Sequence, residues 1–390
     1  MLYRIIGFLS NDERGVRRNL LMEHRLIILE GLPGTGKSTD SHLLYRQLIR
    51  SGKKVRWIHE VSQPHPAVFF TESCFSKDEY RCFVKEHPDV ADILETAAEV
   101  RRTTVGIDQE TVLRKCRERG DEDPEGSEWY RELLKYDAFP SSLDRYEAQA
   151  LEKWDAFAKI AAQDEDTVFI LDSSIFQYQI FTYLLKAEPY ERVCALVKKV
   201  MECLKPLDPF LIYLYRKDTD DSIAFLKNQR GIGDLEHMWE RDKNEPYYCS
   251  KQNDVTAFFD FLIDYADYAS RLFDELDCGK IKIDISGNDW RSYEDRILGC
   301  FDIGRMEAPS YKAADGTYVN AGHDISFTIA DGRMTDPEGV CRSLSPLSAN
   351  EFFVEGLPTI LEFFDDRHIR LHGQQIIPQW TETGMIYEKS

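Results

Sequence analysis

No run in this 390-residue chain approaches the roughly 18 consecutive apolar residues that a membrane-spanning helix needs, so neither a membrane protein nor a membrane partner is expected. Pairing signals among the nine cysteines are missing as well. They are scattered, with no C-x-x-C pair and an odd total, which fits a reducing cytoplasm better than an oxidising compartment. Positive charge is in deficit: 49 Lys and Arg face 69 Asp and Glu, a formal net charge of −20. Such a field repels a polyanion, so nucleic acid is not expected as a partner. A small anion is a different case, because a local cluster of donors can hold it on an acidic molecule. No internal period marks a repeat array. The apolar opening before Asn11 is too short for an export signal, and Met1 and Met22 both remain open as the natural start, with residues 1–24 as an extension.

The composition is that of a folded globular chain, with 43% hydrophobic and 30% charged residues, and the length suits a large domain plus a smaller one. Five short apolar runs read as buried parallel strands: 25–30, 55–60, 167–172, 210–216 and 280–286. Helical spacing falls between them, at 37–51, 143–163, 174–186, 190–204 and 255–276. This alternation predicts an α/β fold with a parallel sheet covered on both faces, over residues 25–305. Residues 61–166 are too many for a loop, and 88–102 and 109–119 look helical, so a helical insertion over the carboxyl ends of the strands is expected, where it would cap a substrate. From 306 to 390 the turns Asp315-Gly316 and Asp331-Gly332 separate short alternating runs, which predicts a small antiparallel β domain. Its aromatics, Tyr318, Phe327, Phe352, Phe353, Phe363, Phe364 and Trp380, read as the core of a sandwich or barrel.

Residues Gly31-Leu32-Pro33-Gly34-Thr35-Gly36-Lys37-Ser38 form a complete G-x-x-x-x-G-K-[ST] motif, with Thr39 after it, between a predicted strand and a predicted helix. Glycines at 31, 34 and 36 allow backbone conformations in which successive N–H groups point at one phosphate, and the helix start adds unpaired N–H groups. Lys37 is then expected at the β- and γ-phosphates and the Ser38 hydroxyl at Mg2+, so a nucleoside triphosphate (ATP or GTP) with Mg2+ is the expected ligand. The competing reading is an accidental glycine-rich turn. Asp172 ends the third strand, where a carboxylate can organise the metal; it can equally cap the helix that follows. Glu60 ends the second strand and faces the same crevice, either as a base for an attacking hydroxyl or as a solvated strand end.

Together, Leu29 to Thr39, Leu171 to Gln179 and Pro209 to Arg216 resemble the P-loop kinases of nucleosides and nucleotides, the thymidylate-kinase-like group in particular, over about residues 25–300. The resemblance implies a P-loop NTPase sheet in the order 2-3-1-4-5, an ATP site at the glycine loop, a small-molecule acceptor under the insertion and an arginine-bearing lid at 217–247. On that lid Arg230 is the first choice to close on the triphosphate, with Lys227 and Arg241 near it; Arg241 reads equally well as a helix-surface arginine. One position departs from the group. Ser173 stands where thymidylate kinases carry an arginine that grips the acceptor's phosphate, and Arg145, Arg101 and Arg102 are the candidates to replace it.

Two functional classes follow. One is a Mg2+-ATP-dependent kinase acting on a nucleoside, nucleotide or other small hydroxyl-bearing acceptor through Lys37, Glu60, Asp172 and Arg230. The other is a nucleotide-hydrolysing switch, an ATPase or GTPase whose β domain contacts a partner. A homodimer contact, a regulatory ligand site and a stabilising role all stay open for that β domain.

Overall fold

The computed structural model describes residues 24–139, 142–322, 325–373, 379–381 and 383–390. The question of the natural start, and the extension ahead of His24, lie outside the described residues.

Five parallel strands form the central sheet: β1 (Leu26–Gly31), β2 (Lys54–Ile58), β6 (Thr167–Asp172), β7 (Pro209–Tyr215) and β8 (Gly279–Asp284). Side chains alternate across a strand, and β1 shows it directly: Leu26 and Ile28 enter the core on one face, Ile27 and Leu29 the core on the other. Both faces are therefore apolar, as a sheet sandwiched between helices requires. Helices α1 (Lys37–Arg50) and α12 (Trp290–Gly299) cover one face. The other is covered by α6 (Leu143–Gln163), α7 (Phe176–Leu185), α8 (Tyr190–Leu204) and α11 (Thr256–Glu275). Counted along the chain the strand order is β2-β6-β1-β7-β8 rather than 2-3-1-4-5. The numbers differ because three strands between β2 and β6 pair elsewhere; among the five parallel strands alone, the second, third, first, fourth and fifth stand side by side.

Those three strands correct the expectation of an all-helical insertion. β3 (Glu72–Ser76), β4 (Ala98–Val100) and β5 (Thr104–Asp108) make an antiparallel sheet in the order β3-β5-β4. Helices α2 (Lys77–Glu86), α3 (Ala91–Ala97), α4 (Gln109–Arg119) and α5 (Glu128–Leu133) surround a core of their own that includes Phe75, Phe83, Ile93, Val105, Ile107 and Leu133. The run 88–102, read as one helix, stops at Ala97 and turns into β4, whose three residues are too few to register a period of two. Helix α4 has the bounds the spacing predicts.

From Gly316 onward the chain closes an eight-stranded antiparallel barrel: β9 (Gly316–Asn320), β10 (Ile325–Ala330), β11 (Arg333–Thr335), β12 (Cys341–Pro346), β13 (Glu351–Val354), β14 (Thr359–Phe363), β15 (His368–Gly373) and β16 (Ile386–Lys389), with β16 pairing back to β9. Tyr318, Phe327, Phe352 and Trp380 fill its interior, with Phe363 packed at the edge. Two of the expected core aromatics lie elsewhere. Phe364 is exposed, and Phe353, on the opposite side of β13 from Phe352, packs edge-on against Tyr45 of α1 at 5.6 Å. Arg50 at the end of α1 donates to Ser345 Oγ at 2.8 Å and to the Pro346 carbonyl at 3.0 Å, and Gln47 exchanges two hydrogen bonds with the backbone of Met306. The barrel is thus tied to the helix that follows the glycine loop. Among the described residues no helix is long and apolar enough to cross a membrane.

Candidate functional site

Strand β1 delivers the chain to Gly31, where a side chain would collide with the Leu214 carbonyl at 2.4 Å. Gly34 and Gly36 take left-handed φ values of 79° and 87°, which side chains with a Cβ rarely adopt. Thr35 N–H and Oγ1 both donate to the Leu32 carbonyl, at 3.2 and 2.7 Å, so Leu32 and Thr35 shape the loop from within. Helix α1 then begins with Gly36 as its N-cap, and no side chain caps it. Its first N–H groups and its positive dipole end are left without a side-chain cap, as an anion-binding helix start requires. Lys37 is buried, and its ammonium folds back to the Leu32 carbonyl at 3.0 Å.

The loop opens on a cavity of 780 Å3. Pro33, Gly34, Gly36, Lys37, Ser38 and Thr39 line it, together with Glu60 and Arg230. Glu60 does not end β2 as the sequence suggests. The strand stops at Ile58 and Glu60 lies in the turn beyond, where Gln177 Nε2 donates to its carboxylate at 3.1 Å and Tyr178 OH to its backbone carbonyl at 3.2 Å. The lid region is two helices, α9 (Thr219–Arg230) and α10 (Ile232–Asp242), joined at Gly231. Arg230 lies on the cavity wall, 3.8 Å from Asp234. Arg241 is exposed on α10, as the helix-surface reading has it, and also reaches the wall, where Asp242 holds it at 2.7 and 2.6 Å. Lys227 points away, its ammonium 3.9 Å over the Phe259 ring.

Asp172 is fully buried behind this wall. It accepts from Ser41 Oγ at 3.4 Å and Ser173 Oγ at 3.0 Å, and it caps no helix: α7 begins at Phe176 with Ile175 as its N-cap. Burial, and next the Glu60 carboxylate, raise its pKa, against the pull of His59, Lys37 and the Ser38 hydroxyl. A buried carboxylate ringed by hydroxyls is the donor set a hard divalent cation takes, and Ser38 and Asp172 are the residues that would hold Mg2+ here. The two glycines in left-handed conformations and the uncapped helix start fit a phosphate group in the same way.

The residues proposed to replace a phosphate-gripping arginine do not converge here. Arg145 is clamped to Glu79 at 2.8 and 2.9 Å, and Arg101 is buried between Glu72 and Glu99. Reading the sequence also missed Glu30. Its fully buried carboxylate accepts from the N–H groups of Ile175 and Phe176, at 2.6 and 2.9 Å, and so fixes the start of α7. A carboxylate closing an apolar strand was the available signal, but its partners lie 145 and 146 residues away along the chain. A scan against protein-family models and a search of curated proteins each found no match.

Proposed function

We propose that this chain is a phosphotransferase that moves the γ-phosphoryl group of ATP or GTP, with Mg2+, to a hydroxyl of a small acceptor. The observation that carries the reading is the shared cavity. Gly34, Gly36, Lys37, Ser38, Glu60 and Arg230 line one cavity together with the aromatic Phe70, Phe139, Tyr178, Phe181 and Tyr265. Lys37 and the loop N–H groups would hold the phosphate tail, and Arg230, on a helix end next to Gly231, would offset charge as transfer proceeds. Mg2+ would supply further positive charge to the same oxygens. Glu60 takes the proton from the acceptor hydroxyl while the oxygen bonds to the γ-phosphorus and the bond to the β–γ bridging oxygen breaks, releasing ADP or GDP. Gln177 holds the Glu60 carboxylate and Tyr178 its backbone carbonyl.

The test is acceptor-stimulated ADP release by the purified full chain, with product identified by mass. Stimulation accompanied by a phosphorylated acceptor is expected. A second reading, the nucleotide-hydrolysing switch, has one observation behind it: the barrel packs through Phe353 on the helix that starts at the loop. Steady hydrolysis that no acceptor accelerates, with no phosphorylated product, would favour it and count against the kinase.

A further inference from the structure

Apart from Lys37 and Arg230, the charged side chains that line the cavity are two cations and three carboxylates, and both cations are already paired. Lys186 Nζ bonds Glu245 at 3.0 Å, and Arg241 grips Asp242 through Nε and Nη2. A third carboxylate, Glu60, has the Gln177 amide as its side-chain partner rather than a cation. Two cations thus face three carboxylates, and an anion placed here must either break a two-point arginine–carboxylate pair or settle beside Glu60 unscreened. No arginine follows Asp172 either; Ser173 stands there, fully buried. The remaining wall is aromatic, and Tyr265, only 2% exposed, contributes a hydroxyl with no hydrogen-bond partner among the described residues. A buried phenol left unpaired is suited to one neutral polar atom of a ligand.

We infer that the acceptor is an alcohol with an apolar, ring-sized body and no phosphate or carboxylate of its own, and that an amine on it is tolerated. This rests on the phosphotransferase reading above and narrows it, since a nucleotide acceptor is excluded. Lys37 and Arg230 are left to the triphosphate, and the three carboxylates on the cavity wall discriminate against a second anion.

Matched acceptor pairs test this on the full chain with Mg2+ and ATP: nucleosides against their 5′-monophosphates, and aryl alcohols carrying an amine against the same alcohols carrying a carboxylate. The neutral or amine member of a pair should exceed the anionic one by about tenfold or more in kcat/KM for ADP release, the scale of a like-charge penalty. Anionic members that match or exceed their partners would overturn the inference and leave the phosphotransferase reading standing. No stimulation by any member would remove that reading, and the inference with it. Asp242→Asn, which releases Arg241, is the second arm. It should raise kcat/KM for a monophosphate relative to its nucleoside by about fivefold or more. An unchanged ratio would contradict the role given to the Arg241–Asp242 pair.

Discussion

Glu30 is the residue on which burial acts most plainly. Its carboxyl group has no exposed surface, one oxygen takes two backbone N–H groups, and the other has no hydrogen-bond partner among the described residues. Burial pushes its pKa from 4.5 up to about 7, against the pull of those N–H groups and of Lys37. A carboxyl raised on folding binds protons more tightly in the native state. Its contribution to stability is therefore complete below about pH 4.5 and is lost as pH rises through about 7. At about 1.4 kcal/mol per pH unit, that difference bounds the effect near 3 kcal/mol. Glu30→Gln keeps a carbonyl oxygen for the two N–H groups and cannot ionise. In urea melts the variant should match the parent at pH 5 and exceed it at pH 8 by about 1–3 kcal/mol. A variant less stable at pH 8 would show that the ionised carboxylate, not the neutral acid, holds α7 in place. Asp40, buried without a hydrogen-bond partner among the described residues and raised to about 7 by burial and by Glu294, titrates the same way. The variant should keep that part of the pH slope. At this scale, Lys37, Ser38 and Asp172 could be placed from the sequence because motif and strand end are local. Glu30 was not, because its role depends on N–H groups that only the fold brings near.

Among elements, the loop and α1 act as one unit, and Gly36 joins them. Its φ of 87° and the 2.7 Å that would separate a Cβ from the Trp290 ring leave no room for a side chain. Gly36→Ala should lower stability by about 1–3 kcal/mol and abolish nucleotide binding, read from a denaturant midpoint and a nucleotide titration on the same sample. Gly233→Ala is the control. It lies in the first turn of α10 with no atom near its missing Cβ, and it should be neutral or stabilising by up to about 1 kcal/mol. Equal losses in both would deny the loop its special conformation. Long periodic elements were legible to within two residues: α6, α8 and β6 fall where spacing alone puts them. The short strands of the insertion were not. Glu72-Ser-Cys-Phe-Ser76 has little apolar alternation, and its Glu72 is buried only because Lys153 and Arg101 pair with it.

Over the whole molecule, one sheet carries two apolar faces, and the barrel is anchored to the face that also holds α1. Phe353 belongs to that core and not to the barrel interior, which is why an aromatic pattern alone assigned it to the wrong side. Composition could foretell a separate β domain, but not where it docks, since docking rests on a few residues such as Phe353, Arg50 and Gln47. The acidity of the chain, at −20, bears on the site too: a triphosphate must be held by local donors against an unfavourable field, so binding has to fail when those donors are removed. Calorimetric titration of the full chain with ATP and Mg2+, beside Lys37→Ala, tests this most directly. The account predicts saturable binding to the parent and a loss of about 100-fold or more in the variant, as expected for a buried ammonium on phosphate. Absence of binding to millimolar ATP and GTP, or equal affinity in parent and variant, would contradict it.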